Sequence, residues 1–437
     1  MPLIKPFRAL RPAPGRAAEV LAPPYDVLSS EEARARAGGK PWSFLHVSKA
    51  EIDLDPQINP YDDAVYARAA ENLQRMIAAG VLVRDRAPAY YVYRLTWRGH
   101  VETGLAGAVS VGAYLDRRIR RHELTTPAKE DDRVRHIEAV NAQTGPVMLA
   151  YPTAPAIDAM LARAATGSAA VDVTADDGVR HQLWVIDATL GAALGAAVEA
   201  LPALYIADGH HRSAAAARVA AARTGAGSAQ HFLAVLFPQA EMTILEYNRV
   251  LRDLNGHSPE ALLTEIGRRY RIEPSSRPVR PQQADEVGMV LAGRWYKLTL
   301  RPPDAAPSNP ADPIARLPVT LLARNIIEPI LGVADPRTDK RIDFVGGGRG
   351  PEELERLVSS GQMAVAFALY PTQMRDLMAV ADAGAIMPPK STWFEPKLAD
   401  GLMSHVLDST GRASIGAPAA AVTAPSAGAA EIRRPTH

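Results

Sequence analysis

The sequence predicts a mixed α/β protein, and three observations carry that expectation. Short apolar runs rich in β-branched and aromatic residues alternate along the chain with segments of helical spacing. Near the middle, Leu204-Tyr205-Ile206-Ala207 ends at Asp208-Gly209, and an alanine-rich stretch opens at once with His210-His211-Arg212-Ser213, which reads as strand, tight turn and helix. The length of 437 residues and a hydrophobic content of 47% are enough for two or three domains with a substantial core. Composition shifts divide the chain into an N-terminal α/β region (1–114), a central core (115–255), a C-terminal α+β region (256–408) and an Ala/Pro/Ser/Gly-rich tail (409–437) of disordered composition.

Each element has its own local reason. Ser29 or Ser30, followed by Glu31 and Glu32, caps a helix after the proline-rich start. Trp42–Val47 alternates like a strand, and Val65, Ala69, Leu73, Met76 and Ile77 mark a helix over Tyr61–Ala79 that stops at Gly80. Strands are expected at Ala89–Trp97, Leu105–Tyr114, Val147–Tyr151 and His181–Ala188, and helices at Asp131–Gln143, Ile157–Arg163 and Leu190–Ala200. His231–Phe237 and Thr243–Tyr247 read as a hairpin, and so do Gly288–Leu291 and Arg294–Leu300 across Ala292-Gly293. Further on, helices are expected at Glu260–Arg269, Val319–Ile330, Pro351–Ser360 and Thr372–Asp382, with a strand at Ala364–Tyr370 and a proline-rich loop at Arg301–Pro313.

Bulk numbers exclude several classes. Lys+Arg 49 against Asp+Glu 48 gives a net charge of +1, so no global field favours nucleic acid or membrane. The absence of cysteine removes disulfides, thiolate metal sites and cysteine nucleophiles together. No apolar run reaches signal-peptide or spanning length. The expectation is a cytoplasmic protein without membrane or nucleic-acid partners, for which a homodimer is compatible.

Three stretches concentrate chemistry. At the Asp208 junction, the first turn of the helix aims unpaired N–H groups and a positive dipole end beyond the strand, a natural anion site. Gly209 allows close backbone approach, Arg212 adds a cationic fork, and Asp208 offers a carboxylate to a metal or a hydroxyl. The alternative is a capped helix after a buried strand. His210 and His211 project about 100° apart on a helix and do not suit a shared metal. In the second stretch, Arg117, Arg118, Arg120, Arg121 and His122 precede Glu123-Leu124-Thr125-Thr126, with Lys129 and Arg133 beyond. Such neighbours are expected to lower the pKa of Glu123 and keep it ionised. The zinc-protease pattern fails because its second histidine would fall at Thr126. The competing reading is a solvated edge strand running into a charged helix. The third stretch, Met387 to Lys397, fixes Lys390, Ser391 and Thr392 among prolines and aromatics, which suits a site or a domain clamp. Tyr25 and Asp26, set after Pro23-Pro24, form either a rigid binding edge or a plain loop. Gly346-Gly347-Gly348-Arg349-Gly350 lacks a Gly-Lys-Ser/Thr ending and reads as a flexible loop before Pro351.

Arg121-His122-Glu123 and Asp208-Gly209-His210-His211-Arg212 resemble the motifs of the ParB/sulfiredoxin-like superfamily and, within it, the free-serine kinases. Over its whole length the chain resembles the DUF 1015 family through Ile4-Lys5-Pro6-Phe7, Pro23 to Val27, Arg121 to Glu123 with Lys129–Arg133, the Asp208 motif, and Met387 to Thr392. The kinase resemblance implies a nucleotide-binding core and transfer of a phosphoryl group from ATP or ADP, with Mg²⁺, to the hydroxyl of a serine-like metabolite. It implies Glu123 as base, Asp208 as metal or hydroxyl partner, and Gly209, His210, His211, Arg212 and Ser213 as the phosphate cradle. Arg120, His122, Thr125, Arg133, Tyr25, Asp26, Lys390 and Ser391 are further candidate contacts. Arg121 stands where those kinases have proline, and the Glu123-to-Asp208 spacing is longer than theirs. The rival readings are a ParB-like nucleotide-gated DNA-binding protein and a non-catalytic nucleotide or metabolite sensor.

Overall fold

A computed structural model describes residues 1–223, 227–301 and 312–408. The 409–437 tail and most of the Arg301–Pro313 loop lie outside the described residues. The chain is mixed α/β. Among the described residues no helix is long and apolar enough to cross a membrane.

Nine strands form the main sheet: β1 (Ile4–Lys5), β2 (Tyr91–Trp97), β3 (His100–Ser110), β4 (Ile119–Arg120), β5 (Val147–Tyr151), β6 (Val171–Thr174), β7 (Arg180–Val185), β8 (Leu204–Asp208) and β9 (His231–Pro238). Their order is β4-β8-β5-β9-β3-β2-β7-β6, with β1 on β3. Strands from before and after residue 114 thus share one sheet. The alternation along β9 shows the layering. Leu233, Val235 and Phe237 enter one core with Met289 and Phe367 of a second sheet, while Phe232, Ala234 and Leu236 enter another with Leu194, Val198 and Ala216 of two helices. The second sheet is antiparallel: β10 (Tyr247–Leu251), β11 (Tyr270–Ser275), β12 (Glu286–Leu291), β13 (Arg294–Leu300), β14 (Ile342–Gly346) and β15 (Val365–Leu369), ordered β11-β13-β12-β15-β10-β14.

Most local expectations hold. Ser29 forms a capping box with Glu32. The helix α1 (Asp63–Ala78) is capped by Asp62 and buries Val65, Ala69, Leu73 and Met76. Helices α2 (Pro127–Val140), α3 (Ala188–Glu199) and α4 (His210–Ala222) follow.

The strand expected at Leu105–Tyr114 stops at Ser110 and Val111–Leu115 is helical, while Val319–Ile330 is α-helical only to Leu322 and a π-helix over Ala323–Ile327. Two further expectations fail for reasons of packing. Trp42–Val47 is not a strand: Leu45–Ser48 is helical, and Phe44, Leu45 and Val47 are all buried, so the apparent alternation never separated two faces. His231–Phe237 and Thr243–Tyr247 do not form a hairpin. β9 is buried along its whole length between β5 and β3, while Thr243–Leu245 pairs with Trp393–Glu395. A strand apolar on both faces belongs inside a sheet, where neighbours cover both edges.

Candidate active site

The site begins with strand direction. β4 lies parallel to β8, with Leu204 opposite Ile119 and Tyr205 opposite Arg120. Parallel strands release their chains at the same edge, so His122-Glu123 emerges beside Asp208-Gly209-His210. Gly209 carries φ +99° and ψ 29°, and a Cβ there would lie 3.2 Å from the Arg212 guanidinium and 3.3 Å from the Val147 Cα. The turn therefore requires glycine.

Two distant segments complete the site. The backbone bridge between Ala22 and Asp400 brings in the turn at Tyr25–Val27. The Met387 N–H donates to the His122 carbonyl at 2.8 Å, laying the Met387–Lys397 loop across the cavity. That loop is held by Arg249 in β10. Its buried guanidinium donates to the carbonyls of Tyr247, Lys390 and Pro389 at 2.5, 2.9 and 3.1 Å. Thr372 secures the Ser391 carbonyl at 2.9 Å. The cavity these segments line measures about 260 Å³.

Tyr25, Asp26, His122, Glu123, Lys390 and Ser391 line this space together with Asp208, Gly209, His210, His211 and Arg212. Four candidates turn elsewhere. Arg120 reaches Asp382 and the Tyr205 hydroxyl (3.4 Å). Thr125 donates to Glu130. Arg133 packs 3.8 Å from the centre of the Tyr25 ring and pairs with Asp132 at 2.7 Å, behind the cavity wall. Ser213 is fully buried and donates back to the carbonyls of Gly209 and His210, a bond helical serines make readily. His211 lines the cavity while accepting a hydrogen bond at Nε2 from the Thr126 N–H (3.2 Å), so it also ties down the turn before α2.

The charges differ from those expected around Glu123. Arg118 is spent on Glu199 and Arg120 on Asp382. Burial pushes the Glu123 carboxyl above its ordinary range, and Lys390, Lys129 and Lys397 only oppose this. The expected lowering is overturned because desolvation outweighs the cations, even with 47% of the side chain exposed to the cavity. Burial also pushes His122 down to about 4 and His210 well below the ordinary imidazole range. Asp208 goes the other way. Burial works to raise it, but Lys397 at 3.6 Å and Arg212 at 3.0 Å hold it below the usual carboxylate range. With two cations already on that carboxylate, its surroundings fit an anionic ligand better than a protein-held Mg²⁺.

Arg212 also donates to the Pro146 carbonyl and lies 4.0 Å from Asp26, while its Nε is buried without a partner. Behind it sits Asp400, buried, with Oδ1 unpartnered and its carboxyl pushed by burial up to about 7. Gly145 makes room for both: a Cβ there would stand 3.2 Å from Arg212 and 3.3 Å from Asp400. Arg249 and Asp400 carried no signal in the sequence. Lys397 and Trp393 lay inside the third unusual stretch, and that stretch was the one clue to them.

The DUF1015 family, described as a protein of unknown function, matches residues 4–320. The chain belongs to this family. No curated protein matches the chain significantly. Among solved structures, this DUF1015 chain is similar to free serine kinase in complex with AMP, at 9% identity over 66% of this chain and 86% of that one, with a TM-score of 0.34. It is similar to SbnI with C-terminal truncation from Staphylococcus aureus, at 12% identity, 69% and 87% coverage and a TM-score of 0.36. A conserved hypothetical protein from Pyrococcus furiosus matches at 10% identity, 68% and 94% coverage and a TM-score of 0.33. Likeness this faint transfers neither ligand nor reaction to the present chain.

Proposed function

We propose that this DUF1015 protein is a nucleotide-dependent phosphotransferase acting on the hydroxyl of a small metabolite, with free L-serine as the prototype acceptor and ATP or ADP as donor. The observation that carries the reading is the meeting of four distant segments on one cavity. There Arg212, Lys129, Lys390 and Lys397 outnumber Asp26, Glu123 and Asp208. An excess of fixed cations over a helix N-terminus suits phosphate oxygens.

In this reading Glu123 takes or orients the hydroxyl proton. It lines the cavity and is half exposed to it, with Lys390 and Asp208 as the charges that act on it most, which leaves its carboxylate available for that role. Asp208 holds Arg212 and Lys397 towards the phosphates, and Gly209 lets the backbone approach them. A nucleotide-borne Mg²⁺ would add charge neutralisation beside these cations. Positioning and charge compensation are the main demands of phosphoryl transfer, so no covalent step on the protein is needed. Residues 115–255 form the proposed catalytic core, with the C-terminal region closing it through the Met387–Lys397 loop.

The test is incubation of the pure protein with Mg²⁺, ATP or ADP and a panel of hydroxy amino acids. A phosphorylated acceptor is expected, and Glu123→Gln should reduce its formation by about 10²–10⁴-fold while sparing nucleotide binding. Nucleotide binding without turnover on any acceptor would replace the kinase by a sensor.

A further inference from the structure

His122, Glu123 and His210 bring one ligand atom each within 4.8 Å of one another, at the wall of the cavity. The two imidazole rings meet edge to face with centroids 4.5 Å apart. The His210 Nδ1 lies 3.9 Å from Glu123 Oε2. His122 is 2% exposed, and neither of its ring nitrogens completes a hydrogen bond. A polar ring so deeply buried and so poorly partnered is unusual unless something else binds it.

We propose that these three side chains bind a single divalent cation of the transition series at the wall of this same cavity. Two imidazoles and one carboxylate select Zn²⁺, Co²⁺ or a similar ion, whereas Mg²⁺ and Ca²⁺ prefer all-oxygen shells. Metal–ligand bonds of about 2.0–2.2 Å set tetrahedral ligand atoms about 3.4 Å apart, so a pair near the 4.8 Å limit must close by about 1 Å. Glu123 is half exposed and is the member free to move. His210 Nε2 accepts only a 3.5 Å contact from the His122 N–H, a weak bond to give up when the ring turns its other nitrogen to an ion. The remaining coordination positions would face the cavity, as in sites that keep an open position for water or substrate. One consequence rests on the kinase reading: an ion that takes Glu123 as ligand removes it from proton handling, so such ions would inhibit transfer.

The test is Co²⁺ titration of the full-length protein without nucleotide, followed by visible absorption and by metal analysis after gel filtration. One equivalent of Co²⁺ is expected, displaced by Zn²⁺ and untouched by excess Mg²⁺. Losing even an outer partner of a metal ligand typically costs about 10–100-fold in affinity. His210→Ala and Glu123→Gln should each weaken binding at least that far. Because His122 is buried, His122→Gln serves beside His122→Ala, with circular dichroism to verify folding. Absence of stoichiometric binding, or binding that survives in folded His122→Gln and His210→Ala proteins, would overturn the site. Since nucleotide is not involved, either result is independent of the kinase assay.

Discussion

Two glycine-bearing junctions in this chain lead from a strand into a helix, and they serve different ends. At the first, β8 passes through Gly209 into α4, and the turn opens on a cavity lined by Asp26, Glu123, Lys390 and Lys397. At the second, β14 passes through Gly346–Gly350 into the helix Pro351–Ser359. There the protein fills the space itself. A Cβ on Gly346 would stand 2.8 Å from the Trp393 ring, and one on Gly347 would stand 2.6 Å from the Glu246 carboxylate. The Gly347 N–H donates to the Glu246 carbonyl at 2.8 Å, and Gly347–Arg349, expected as a flexible loop, forms a 3₁₀ turn. Glycine before a helix thus signals close approach by something. Whether that partner is the protein's own side chain or a ligand depends on which segments the fold brings nearby.

The contrast is most sharply tested at the buried Arg212, since the arginine of the second junction, Arg349, is exposed. Arg212→Leu should cost about 3–5 kcal/mol, the range for removing one partner of a buried ion pair, read by denaturant unfolding, and it should abolish nucleotide binding.

Behind the same arginine, Asp400 gives a pH signature. Its carboxyl titrates near 7 in the folded protein but at about 3.9 when unfolded. The folded state therefore holds the extra proton between these values. Stability from this group is complete below pH of about 4 and is lost as pH rises through about 7, by up to about 4 kcal/mol. Asp400→Asn should flatten that part of the stability profile; a slope unchanged from the parent would remove Asp400 as its source.

A paired substitution separates the two junctions directly. Gly209→Ala forces a side chain into left-handed backbone and against Arg212, at about 1–3 kcal/mol, and should weaken nucleotide binding as well. Gly347→Ala should lower thermal stability by a similar amount with binding unchanged. Equal effects on binding would dissolve the distinction. Gly348 has nothing closer than 4.0 Å to an added Cβ, so Gly348→Ala should stay within about 0.5 kcal/mol.

Much of this molecule was legible from local pattern. The capping box at Ser29 and Glu32, the helix ending before Gly80, and the strand, turn and helix through Gly209 all depend on interactions within a few residues. The motif stretches around Tyr25, Glu123, Asp208 and Lys390 also converge as chemistry-bearing segments. The failures lie where distant packing decides. Ser213 looked like a cradle hydroxyl until the helix consumed it, and Arg133 looked like a phosphate contact until Tyr25 covered it.

The sequence by itself determined where backbone must turn, cap and begin a helix, because glycine freedom and side-chain capping act over one or two turns of chain. Tertiary structure alone decided that β4 would run parallel beside β8 and that Arg249 would fasten the loop over the cavity. It alone decided that Glu123 would be desolvated faster than its cations could compensate. Strand pairing and desolvation are set by neighbours far away in the chain, and periodicity along the sequence carries no record of them.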